Sequence, residues 1–320
     1  MSLDIRSKLA ALLCCVPLFA HAVEPERCNQ VRFADVGWSD ITVTTAVTRH
    51  ILSKLGYSTQ VKQLSVPDTY KSLAAGKIDV FLGNWMPSME NDLRPYQQSG
   101  HVLTLGTNLE GAKYTLAINQ AAYEGGLRSF ADLAAAKQQL GGKLYGIEPG
   151  NDGNKLIQQM IDQNAFNLGD FTLVESNEAS MLAQVKRAQH LKQWIVFLGW
   201  EPHPMNTAMR IHYLDGGDEF FGPNYGGATV HTNANATFIE HCPNVARLLK
   251  NLRFNLDMEN HLMSAILDSN TNPRREAKKW IEANPEILMG WLEGVTTLAG
   301  APAASAFKPA SDSVPTDAQP

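Results

Sequence analysis

The chain is poor in cysteine, carries no excess of positive charge and has a single long apolar stretch, and each scarcity narrows what it can be. Its 27 lysines and arginines are outnumbered by 32 aspartates and glutamates, a formal net charge of -5, so no bulk electrostatic attraction to a polyanion exists and nucleic acid is set aside as a partner. Beyond residue 22 no segment approaches the roughly 20 apolar residues that a membrane-spanning helix requires. No Gly-x-Ser-x-Gly elbow marks a nucleophilic serine. No second histidine stands at a ligand-like spacing from His203. Neither a catalytic residue, a metal ligand nor a cofactor is therefore assigned.

What is present begins with an export pattern. Arg6 and Lys8 precede the apolar run 9–20, and Ala20-His21-Ala22 offers small residues for cleavage, so residues 1–22 read as a signal peptide and the mature chain as periplasmic. Leu13 before Cys14 is too bulky for lipoprotein processing. Removing this segment takes away Cys14 and Cys15 and leaves Cys28 and Cys242. Two cysteines in an exported protein suggest one disulfide, the alternative being two unrelated thiols. Residues 299–320, rich in Ala, Pro, Ser and Asp without periodicity, are expected to form a disordered tail.

The whole chain of 320 residues, 44% hydrophobic and 18% charged, supplies material for about two domains. Short apolar runs at 31–36, 60–66, 78–85, 114–119, 143–147, 171–175, 194–200 and 228–232 read as strands. Ile41, Val47, Ile51 and Leu55 recur at helical spacing, as do Met181, Val185 and Ala188. The alternation predicts an α/β fold with mainly parallel pairing. Two runs echo each other: Val80-Phe81-Leu82-Gly83-Asn84-Trp85 and Val196-Phe197-Leu198-Gly199-Trp200 both end in Gly and then Trp. Ligands collect at the carboxyl ends of strands in open α/β sheets, so two such lobes face to face put Trp85 and Trp200 on opposite walls of one cleft. Trp38 and Asp40 follow the run 31–36 at an equivalent place, where Asp40 also suits a helix cap.

Five segments taken together give the chain a family likeness: Gly37-Trp38-Ser39-Asp40-Ile41, Phe81-Leu82-Gly83-Asn84-Trp85-Met86-Pro87, Gly111-Ala112-Lys113-Tyr114, Tyr145-Gly146-Ile147-Glu148-Pro149-Gly150-Asn151-Asp152-Gly153-Asn154 and Gly199-Trp200-Glu201-Pro202-His203-Pro204. In their order and separation they resemble the choline- and betaine-binding proteins of bacterial ABC transporters, from about Cys28 to Gly294. The resemblance implies a two-lobed periplasmic binding protein (type II) that delivers its ligand to a membrane permease, acting as a monomer. It implies that Trp38, Trp85, Tyr114 and Trp200 box a trimethylammonium group, that Asp40 and Asn151 are the polar residues of that site, and that Cys28 and Cys242 are bridged.

The residues support this chemistry independently. A quaternary ammonium has no N–H to donate, so aromatic faces hold it better than a carboxylate alone, at about 0.5–2 kcal/mol per desolvated ring. Asp40 complements the net cation choline and repels the carboxylate of glycine betaine or carnitine, which puts choline first. Asn151 suits either the choline hydroxyl or a helix cap. The expected division is residues 24–110 and 217–298 in one lobe and 111–216 in the other, with closure of the hinge on ligand. Gly216-Gly217-Asp218-Glu219-Phe220 spells a signature of cyclic dinucleotide synthesis but sits in an exported chain, and is read as coincidence. Glu201-Pro202-His203-Pro204 is read as a structural turn. A secreted hydrolase and a chemoreceptor-coupled binding module are the rival functions.

Overall fold

A nine-stranded sheet runs through the protein and explains how distant segments meet at one place. The computed structural model describes residues 24–307. The expected signal peptide, with Cys14 and Cys15, and residues 308–320 lie outside the described residues. The strands are β1 (Gln30–Asp35), β2 (Ser58–Gln63), β3 (Val80–Met86), β4 (Val102–Asn119), β5 (Lys143–Tyr145), β6 (Thr172–Val174), β7 (Val196–Glu201), β8 (Ile211–Tyr213) and β9 (Gly227–Asn235). Their spatial order is β2-β1-β3-β9-β4-β7-β5-β6, with β8 beside β4. Two parallel trios, β2-β1-β3 and β6-β5-β7, therefore flank a central antiparallel pair.

The expectation of mainly parallel pairing needs correction. β3 with β9, and β4 with β7, β8 and β9, are all antiparallel. The reason is β4, which pairs with β9 through Val102–Lys113 and continues into the second trio, pairing with β7 through Lys113–Ile118. A strand that enters a neighbouring sheet directly needs no crossover helix, and the parallel rule rests on that helix. Register shifts between Thr104 and Ala112 bend β4 on the way.

Each trio owes its parallel order to helices between strands. α1 (Ser39–Lys54) follows β1 and is buried on nearly every side, with Ile41, Val43, Ala46, Val47, Ile51 and Leu52 in the core. Its threonines are satisfied within the helix: Thr44 and Thr48 donate their hydroxyls to the carbonyls of Asp40 and Thr44. α2 (Asp152–Asp162) and α3 (Glu178–His190) serve the second trio, while α4 (Leu256–Asp268) and α5 (Pro273–Ala283) cover α1. α1 lies against β3 because residue 83 is glycine: a Cβ there would stand 2.6 Å from Ile41 Cδ1. Gly199 in β7 makes room for a neighbouring strand instead, since a Cβ there would stand 2.7 Å from that of Ala117 in β4.

Cys28 and Cys242, both fully buried, are joined with Cα atoms 5.6 Å apart across 214 residues. The segment expected to be loose from residue 299 is ordered as far as Phe307. It forms a short 3₁₀ helix, Ala303–Phe307, buries Ala303 and bridges back from Pro302 to Thr296. Small residues here fit a shallow surface against the core, which composition alone does not reveal.

Candidate functional site

Both Gly-Trp strands end at one cavity. β3 delivers Trp85 and β7 delivers Trp200, each strand running on into a cis prolyl bond, Met86–Pro87 and Glu201–Pro202. α1 presents Trp38 and Asp40 from its N-terminus, and the distal half of β4 presents Tyr114. These five side chains, with Ile147 after β5, line an empty volume of about 270 Å³. Trp85 and Tyr114 stand with ring centroids 6.0 Å apart and planes inclined at 56°. The rings therefore form walls and do not stack on one another.

Each ring is held by a named partner. The Trp85 indole donates to Asp40 Oδ2 at 3.1 Å, and the Trp38 indole donates to Glu148 Oε1 at 2.8 Å. Tyr114 donates its hydroxyl to Asn151 Oδ1 at 2.8 Å and meets the edge of Phe221 at 6.2 Å. Gly153 makes that reach possible, since a Cβ there would lie 2.1 Å from the Tyr114 oxygen. Trp200 rests edge-on against His203, centroids 5.1 Å apart.

Asn151, expected at the site, is near it but does not line the cavity. It is the N-cap of α2, and its Oδ1 accepts both the Asn154 N–H and the Tyr114 hydroxyl. The capping geometry is thus present, and Asn151 is joined to the cavity wall through the Tyr114 hydroxyl.

The electrostatics are one-sided. Asp40 is 2% exposed, and its Oδ1 has no hydrogen-bond partner among the described residues. Burial and the nearby charge of Glu178 push its carboxyl up to about 7, against the lowering effect of the Ile41 N–H and the Trp85 indole. Burial also raises Glu148, and burial with the charge of Asp40 raises Glu259 well above the ordinary range. Among the described residues no lysine or arginine lines the cavity. An apolar aromatic box beside an unpartnered acidic oxygen lacks positive charge, and a bulky cation supplies it.

Several neighbours escaped the sequence reading. Ile147 stands in a run whose other members drew attention by polarity. Glu148 and Glu178 act on partners 110 and 139 residues away, so no local spacing could signal them. His203, read as part of a turn, is buried and faces Glu178 at 3.2 Å. The Gly216–Phe220 motif lies in a short helix, Asp218–Phe221, whose last residue backs Tyr114.

Residues 29–283 match the family described as the substrate binding domain of ABC-type glycine betaine transport systems. An ABC-transporter choline binding protein solved in complex with choline is 55% identical, with TM-score 0.87 over 88% of this chain and 98% of that one. An unliganded, semi-closed form, also 55% identical and with the same coverage, gives 0.82. An uncharacterised protein of Chromohalobacter salexigens is 50% identical over 141 residues, 44% of this chain and 89% of that protein. The family and the two solved structures are transport binding proteins and not enzymes, so the hydrolase alternative has no support. The chain belongs to the family of ABC-type glycine betaine transport substrate-binding domains and is a two-lobed α/β substrate-binding protein of an ABC transporter.

Proposed function

We propose that this protein captures choline from the periplasm, holding its trimethylammonium group between Trp38, Trp85, Tyr114 and Trp200 with the charge set against Asp40. The observation that carries the reading is the free Oδ1 of Asp40, buried beside the box. It favours a net cation over zwitterions: glycine betaine and carnitine would bring a carboxylate into a shell already holding Asp40, Glu148 and Glu178. Four rings at about 0.5–2 kcal/mol each supply about 2–8 kcal/mol together, so micromolar capture also draws on the charge of Asp40 and on burial of the methyl groups. Asn151 acts by fixing the Tyr114 hydroxyl. The closer fit to the choline complex than to the unliganded form supports a closed arrangement of the walls.

The division of the chain follows from the same reading. Residues 24–110 and 217–298 form one lobe with Trp38, Asp40 and Trp85, and residues 111–216 form the other with Tyr114, Asn151 and Trp200. The export signal at residues 1–22 is cleaved, and the mature protein works as a monomer. Calorimetry of the mature protein against choline, glycine betaine, carnitine and acetylcholine tests the ligand. Choline is expected to bind at micromolar concentration, Trp85→Ala to weaken it at least a hundredfold, and Asp40→Asn to tighten glycine betaine relative to choline. Preference of the unaltered protein for betaine over choline would overturn the assignment.

A further inference from the structure

Glu178 sits where the aromatic box alone gives it no reason to be. It is the first residue of α3, its side chain is 8% exposed, and its two oxygens serve opposite sides of the cavity. Oε2 accepts the Ser39 N–H at 3.0 Å. That N–H belongs to the first turn of α1, where the N-cap residue, Trp38, offers no side-chain acceptor. A carboxylate 139 residues away thus caps the helix that carries Trp38 and Asp40. Glu178 Oε1 lies 3.2 Å from His203 Nε2. Because His203 Nδ1 accepts the Met205 N–H at 3.0 Å, Nε2 carries the ring proton and donates it to Glu178. The same imidazole packs against Trp200.

This placement is electrostatically awkward without a ligand. The charge of Glu178 bears on Asp40, Asp35 and Glu148, which surround the same end of α1. The α1 N-terminus offsets part of that repulsion. A cation between the walls offsets more, so the contact gains most when a charged ligand is present.

We infer that Glu178 is a positioning residue that locks the closed form, docking on the Ser39 N–H when the walls meet and steadying Trp200 through His203. The inference rests on the two-lobe capture of a cation proposed above. It requires that the bond form after the ligand has entered. Such a bond slows departure and leaves arrival unchanged.

Stopped-flow tryptophan fluorescence with choline, on the full mature chain, reads the two rates separately. In Glu178→Gln the amide accepts from Ser39 or meets His203, but its N–H₂ opposes the ring N–H, so one bond is lost. Ser39→Pro removes the backbone donor by another route. Proline is favoured at the first helical position, and Trp38 already has the extended conformation it needs, φ -87° and ψ 141°. Both variants are expected to release choline about 10 to 100 times faster, the loss of a charge-assisted bond, with association within about twofold of the unaltered protein. Should Glu178→Gln not fold, Ser39→Pro decides alone. Unchanged release in a folded variant, or a defect confined to association or to the fraction of active protein, would overturn the lock. Failure of the unaltered protein to bind choline would instead overturn the capture reading on which it rests.

Discussion

Acidification will weaken choline capture, because the empty box takes up a proton where the ligand's charge must sit. Asp40 is buried, one of its oxygens is unpartnered, and Glu178 and Asp35 add to the burial effect, so its carboxyl lies at about 7 and not at 3.8. A permanent cation in the box favours the ionised form and draws this value down, so protonation and choline oppose each other. With the walls closed and no ligand between them, the ionised fraction is about 0.9 at pH 8 and about 0.1 at pH 6, and the affinity of that closed site scales with the fraction. The dissociation constant is therefore expected to rise about tenfold between pH 8 and pH 6, and binding near pH 6 to release close to one proton. Calorimetry in two buffers of different ionisation enthalpy measures both. Asp152, also held at about 7 by burial, titrates in the same window but does not line the cavity. Asp40→Asn separates the two, since its affinity should be nearly flat with pH. A flat profile in the unaltered protein, or an equal slope in Asp40→Asn, refutes the linkage. The stability of the empty protein carries the opposite mark. A carboxyl raised in the folded state holds a proton that the unfolded chain releases from pH 3.8 upward, so this contribution to stability is lost as pH climbs to 7, by about 4 kcal/mol at most.

Three further variants test two supports of the box and the disulfide. Gly153→Ala places a Cβ against the Tyr114 oxygen, 2.1 Å away as the chain now stands, and is expected to displace that ring and reduce choline affinity at least tenfold in a titration while the protein stays folded by circular dichroism. Tyr114→Phe removes the bond to Asn151, whose Oδ1 keeps the Asn154 N–H, so denaturant unfolding should show a loss of only about 1 kcal/mol. Cys28→Ser with Cys242→Ser opens a cross-link spanning 214 residues, and chemical denaturation should show a loss of about 2–5 kcal/mol with no change in choline affinity at 25 °C, because neither sulfur lies near the cavity.

The box was legible in the sequence and its charged surroundings were not, for one physical reason. Trp85 and Trp200 end strands whose preceding glycines have a steric task, so pattern and position appear together within six residues. Trp38 follows β1 just as closely, and Tyr114 lies in the run that was read as a strand. The antiparallel centre is hidden because Gly106 and Gly111 punctuate β4 as they would a loop, and because all three of its partners are far away in the chain. Asn151 was ambiguous for a different cause: capping and ligand contact call for the same amide oxygen, and here the helix and Tyr114 already occupy it. Glu148 and Glu178 have no local signature at all, since each acts on a partner more than a hundred residues distant. The distinction bears on specificity. Aromatic faces accept any trimethylammonium compound, so the rings define the class of ligand. Choice within the class falls to the acids, which reject a second negative charge. Replacing an acid should therefore alter which compound binds, whereas replacing a ring should weaken them all.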